Sequence, residues 1–211
     1  MAVGSSFFSA ARLRCCLLCL LAAVFFAPHH TFAVEGQAPA EAFFRKLPLD
    51  IFENTGERFT DTDKELLFAK GYSPTWHLAY NDADTLVVSA LDAVRSEVIL
   101  HLFRGPTGGM AVLNARTQGS CACEFWRWDA SGGLVPEAPP ELPPMADFFT
   151  ADTPPLTGVQ VEVFFCLTDY RELEAKPRFW NADGAVDVTP TARVRWTWNG
   201  TGFTKVVTPG S

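Results

Sequence analysis

From Trp76 to Val207 the chain keeps one texture: short runs rich in Val, Phe, Thr and Trp, each bounded by Gly, Asn, Asp or Pro. Such runs are strands, and turn residues this close together join them as hairpins. Strands are expected over 76–80, 85–91, 97–103, 110–117 and 121–128, and again over 160–167, 178–180, 186–189, 193–198 and 203–207. The first two of these read as alternating, one face apolar. The closely spaced turns make the sheets antiparallel by expectation. The expected fold class is therefore mainly β with a short helical N-terminal segment. Its strands form antiparallel β-meander sheets, packed as a sandwich or a partly open barrel.

The helical segment precedes the strands. Residues 41–46 start a short helix that Pro48 stops. Asp61–Lys70 is the clearest helix, with Thr62 and Glu65 at capping-box spacing, acids in its first turn and Gly71 at its end. Leu66, Leu67 and Phe68 supply its apolar side.

Residues 1–33 read as a cleaved export signal rather than part of the fold. Arg12 and Arg14 precede an apolar run over 15–27, and small residues at Thr31 and Ala33 follow. That run has signal-peptide length, short of the roughly 20 residues that span a bilayer. Cleavage after Ala33 removes two cations and no acid, taking the net charge from −7 to −9. The exported chain then divides into a lead-in (34–72), a first β unit (73–135), a Pro-rich linker or loop (136–156) and a second β unit (157–208), within one compact domain. The loop holds seven prolines between Pro136 and Pro155, and Phe148 and Phe149 are the residues that pin it to the body. No later apolar run is long enough for membrane insertion. The acidic balance excludes nucleic acid as a partner.

The two β units look alike. Each carries a strand with two Trp at i and i+2, then an Asx-Gly turn, then an apolar residue: Trp126 and Trp128 in the first, Trp196 and Trp198 in the second. An internal repeat is therefore expected. Residues two apart share a strand face, so each Trp pair points one way. Such a pair either fills the core or forms a platform for a sugar ring or a partner side chain.

Three cysteines remain after the leader: Cys121, Cys123 and Cys166. An exported chain forms disulfides, and three thiols allow one bridge. Cys166 is expected to pair with Cys121 or Cys123, tying the two units together. A Cys121–Cys123 bridge would close a small strained ring, and paired thiolates also suit soft metals. His77 and His101, the only other soft donors, lie far from the cysteines in sequence and read as ordinary strand residues. No nucleophile elbow, zinc-protease helix, phosphate loop or haem motif occurs, so no catalytic residue, cofactor or resident metal is expected. Asn81–Asp84 and Asn181–Gly184 read as turns rather than calcium loops. Asn199-Gly200-Thr201 is a sequon that coincides with a hairpin turn.

Taken together, these features point to an exported, periplasmic or extracellular β-rich protein that acts as a non-catalytic binding module. Its contact residues for a protein or glycan partner are Trp126, Trp128, Trp196, Trp198, Phe148 and Phe149. Two alternatives are a thiol- or metal-active protein using Cys121, Cys123 and Cys166, and a glycan hydrolase using a carboxylate pair.

Overall fold

Short helices open the fold. The computed structural model describes residues 40–210 apart from 93–94, 130 and 152–155. The export signal and residues 34–39 of the lead-in lie outside the described residues. Helix α1 (Ala40–Lys46) stops before Pro48, and a 3-10 turn follows over Asp50–Thr55. Helix α2 spans Asp61–Lys70, and Gly71 closes it at φ 84°, donating its N–H to Leu67 O at 2.8 Å. Its N-cap is Thr60 rather than the expected Thr62. Thr60 is extended, its hydroxyl accepts the Asp63 N–H at 3.2 Å, and Asp63 Oδ2 accepts the Thr60 N–H at 2.9 Å. Thr62 is already helical, so its side chain has no free N–H to cap. Of the expected apolar side, Leu67 is the buried residue. Lys64 is buried with it, because its Nζ donates to Leu47 O at 3.1 Å and Arg45 O at 3.4 Å, the carbonyls that end α1.

The strands form two antiparallel sheets. The six-stranded sheet runs in simple chain order: β1 (Trp76–Asn81), β2 (Thr85–Ala90), β3 (Glu97–Gly105), β4 (Gly108–Thr117), β5 (Ser120–Asp129) and β6 (Leu134–Glu137). The five-stranded sheet contains β7 (Gln160–Thr168), β8 (Glu172–Asn181), β9 (Gly184–Val186), β10 (Ala192–Trp198) and β11 (Phe203–Pro209). Its order is β11-β10-β8-β7, with β9 also paired to β8. β8 is far longer than the expected 178–180, and β9 begins before the expected 186. Strand β8 pairs with β10 at Leu173–Ala175 and with β9 at Phe179–Asn181, and Pro177 lies between. A proline has no N–H for a ladder, so the neighbour of β8 changes there.

Two apolar cores make three layers. One face of the larger sheet carries Leu86, Val88, Leu100, Leu102, Leu113 and Trp128 against Phe43, Phe44, Phe52, Phe59 and Leu67 of the helical segment. Its other face carries Val87, Ile99, Phe103, Val112 and Phe125 against Phe165, Leu167, Leu173, Val194 and Trp196 of the smaller sheet. All six residues of β2 are consequently buried, which corrects the alternating reading of 85–91. A sheet covered on both sides reads as a continuous apolar run. The edges β1, β6, β7 and β11 stay distinct, so the architecture is two packed sheets and not a closed barrel.

Between β6 and β7, Phe148 ties the chain to the body. It lies in the 3-10 turn Met145–Phe148, is 1% exposed, and packs in the core between the sheets.

Candidate functional site

The open side of the two sheets holds a groove. Its walls are the β5–β6 edge of the larger sheet with the Pro-rich segment, and the β10–β11 hairpin of the smaller one. One cavity of about 330 Å³ is lined by Met110, Glu137, Pro140, Leu142, Pro144, Trp196, Phe203 and Lys205. An adjoining one of about 380 Å³ is lined by Gly105, Gly108, Gly109, Trp128, Asp129, Val135 and Trp198. Arg127 lines both and joins them.

Local chemistry sets this shape. Trp198 Nε1 donates to Arg104 O at 2.7 Å, fixing the β10–β11 tip on the β3–β4 turn. Gly105 lets them meet, since a Cβ there would run into the Gly200 carbonyl. Gly109 opposes Trp128 in register, and a Cβ on it would lie 2.6 Å from the Trp128 ring. The tip itself turns on Asn199, whose Oδ1 accepts the N–H groups of Thr201 and Gly202, both at 3.0 Å. Both cations of the groove are paired, Arg127 with Glu137 and Lys205 with Asp147, each at 2.6 Å, while the carboxylates Glu141 and Asp129 line it without an ion pair among the described residues. Its rim is apolar. Val135 is 62% exposed and Leu142 58%, the first lining one cavity and the second the other. Neither stood out in the sequence, because an aliphatic residue beside proline carries no motif.

The six expected contact residues divide by burial. Trp128, Trp196 and Phe148 are core residues, at most 4% exposed. This corrects their reading as surface contacts: each occupies the apolar face its strand or turn turns inward. Trp126 and Trp198 are half-buried, Trp126 on the helix side and Trp198 on the inter-sheet side. Phe149 is half-buried against Phe179 with centroids 5.6 Å apart. The structure thus brings Trp128, Trp196 and Trp198 to one groove and leaves Trp126 and Phe149 out of it.

The three cysteines converge where β7 meets β5. Cys121 and Cys166 form the disulfide, one of the two expected pairings, and Cys123 is a free thiol. Cys123 Sγ donates to Phe165 O at 3.1 Å, and Asn114 Oδ1 accepts the Leu167 N–H at 3.2 Å. These contacts satisfy backbone groups on the edge of β7 and seal that edge to the larger sheet. Burial pushes the Cys123 thiol far up, so the site holds no thiolate near neutral pH. Among the described residues no cluster of three metal-ligating side chains occurs.

Other titratable groups lie elsewhere. His101 is buried between the sheets, with Nδ1 2.9 Å from Thr85 Oγ1, and burial lowers its pKa to about 4. Asp50, Glu53 and Glu57 line a cavity of about 410 Å³ over the 3-10 turn. Glu124, whose carboxyl is raised chiefly by burial, does not line it. No helix among the described residues is long and apolar enough to cross a membrane. Comparison with known proteins found no family model, no characterised protein and no solved structure that matches this chain.

Proposed function

We propose that the chain is an exported, non-catalytic interaction module, and that its groove takes a protein partner through apolar contacts. The observation that carries this reading is the rim. Two of the most exposed aliphatic side chains, Val135 and Leu142, flank a groove whose two cations are paired and which the half-buried Trp198 lines. An apolar rim beside an aromatic ring suits partner side chains better than a charged ligand. Proline on one wall limits the entropy lost when the groove is filled. The leader-like residues 1–33 and the Cys121–Cys166 bridge support an oxidising compartment outside the cytoplasm.

Site-specific photo-crosslinking in an exporting host tests the reading. Crosslinkers at positions 135 and 142 are expected to give a discrete protein adduct. One at Leu91, also exposed but outside the groove, should give none. The adduct from position 142 should vanish when Val135→Asp is added. Equal labelling from position 91, or no adduct from the groove, would show the reading to be wrong.

A further inference from the structure

A second concentration of chemistry lies at the other end of the β4–β5 hairpin, remote from the groove. There the hairpin tip and the outward side of β7 and β8 enclose a cleft of about 360 Å³ walled on one side by the Cys121–Cys166 bridge. Its charged lining is Arg116, Lys176 and Arg178, with no carboxylate among the lining residues. The chain as a whole carries −7, so this cleft stands as a local positive potential on an acidic molecule.

The three cations are not equivalent. Arg116 is paired with Glu97 and stacked 5.1 Å from the Tyr170 ring, and Lys176 is paired with Glu174 at 3.0 Å. Arg178 makes no ion pair among the described residues, although Glu162 is its cross-strand neighbour. Its guanidinium instead lies over the rings of Phe164 at 5.1 Å and Trp180 at 5.9 Å. Stacking of this kind fixes the plane of a guanidinium and leaves its N–H edge for an oxyanion. The uncharged rim carries the hydroxyls of Thr117, Ser120 and Thr168.

The backbone narrows the ligand class. An extended acidic peptide would add as a strand to the β7 edge. Beside the cleft, however, Phe165 O and Leu167 N–H are already taken by Cys123 and Asn114. Those two groups are closed to a ligand, which leaves the side chains of the cleft as its main reading surface. Cations, an aromatic ring and hydroxyls in one small cleft match a hydroxyl-rich ring that bears a carboxylate.

We propose that this cleft is a second binding site, independent of the groove, for an acidic sugar unit whose carboxylate pairs with Arg178. The ten-residue length of β4 puts the two sites on the order of 30 Å apart. Calorimetric titration of the disulfide-intact protein with trigalacturonate at low salt tests this, beside neutral trigalactose and a triglutamate peptide. Trigalacturonate is expected to bind, more weakly as salt rises, and trigalactose not to bind. Arg178→Gln should weaken binding about tenfold or more with an unchanged melting temperature. Val135→Asp with Leu142→Asp should leave it intact, so failure here is distinguishable from failure of the groove reading. Triglutamate binding as tightly as trigalacturonate would overturn the sugar assignment. No trigalacturonate binding, or binding indifferent to Arg178→Gln, would overturn the site.

Discussion

The larger sheet is covered on both faces and the smaller sheet on one. In the larger sheet β2 is buried along its whole length, and β3 and β4 are buried over most of theirs. In the smaller sheet β8 and β10 alternate in part, and the outward positions hold Arg193, Arg195, Lys176 and Arg178 with Glu172 and Glu174. The larger sheet also pairs strand to strand in unbroken order, whereas the smaller one changes partner at Pro177. The difference separates two roles. Burial on both faces leaves the larger sheet its edges and hairpin tips for recognition, β6 at the groove and the β4–β5 tip at the cleft. The smaller sheet, open on one face, contributes a charged wall to the cleft and a hairpin wall to the groove.

The contrast can be broken at the seam that joins the two sheets. Replacing both Cys121 and Cys166 with Ser releases a 45-residue loop constraint, an effect on the order of 4 kcal/mol. Denaturant unfolding should show that loss, and hydrogen exchange should rise first in β7, whose edge the seam covers. The core between the sheets gives the next effect. His101 is neutral when folded because burial, its largest influence, outweighs the attraction of Asp84 and Asp82, with Arg171 reinforcing burial. Its folded pKa lies below the unfolded value, so its contribution is complete above about pH 6.5 and is lost as pH falls towards 4. The loss is about 3 kcal/mol over that window. His101→Gln should lack that slope whatever its absolute stability, and an unchanged slope would show that other groups carry it.

Side-chain truncation sharpens the contrast further. Leu100→Ala, on the helix-facing side of the larger sheet, should cost about 3 kcal/mol. Lys176→Ala, on the open side of the smaller sheet, should cost less than about 1 kcal/mol, because Lys176 is half-exposed and the buried Glu174 keeps both bonds from Arg193. Equal costs would mean that the outward side is covered in solution. Between them lies Thr60→Ala, which removes the α2 cap and should cost about 1 kcal/mol. Thr62→Ala should cost nothing and gain a few tenths of a kcal/mol, through the higher helix propensity of Ala, which separates the observed cap from the one the spacing suggested.

Some of the fold was legible locally. Asp61–Lys70 appeared with its ends in place because a capping residue and Gly71 act within one turn of chain. Most strands of the larger sheet appeared because turn residues and β-branched runs are local signals too. The cap itself was placed two residues late, since both Thr60 and Thr62 have an acid three residues on. Two Trp at i and i+2 share a strand face, but the sequence does not say whether that face meets water or another layer.

What the sequence determined by itself was therefore the set of short-range features: the class of structure, the antiparallel connections, the second helix, and a cysteine count that allows one bridge. Each depends on residues a few positions apart, or on counting. What the tertiary structure decided was which surfaces face each other. Only the second sheet and the helices together bury both sides of β2, choose Cys121 over Cys123, and place Val135 and Leu142 at one groove. Only folding brings Arg116 of β4 to one cleft with Lys176 and Arg178 of β8. Most of those juxtapositions join residues tens of positions apart. Their energy comes from burying surfaces against one another, and no local pattern in the chain records which surfaces will meet.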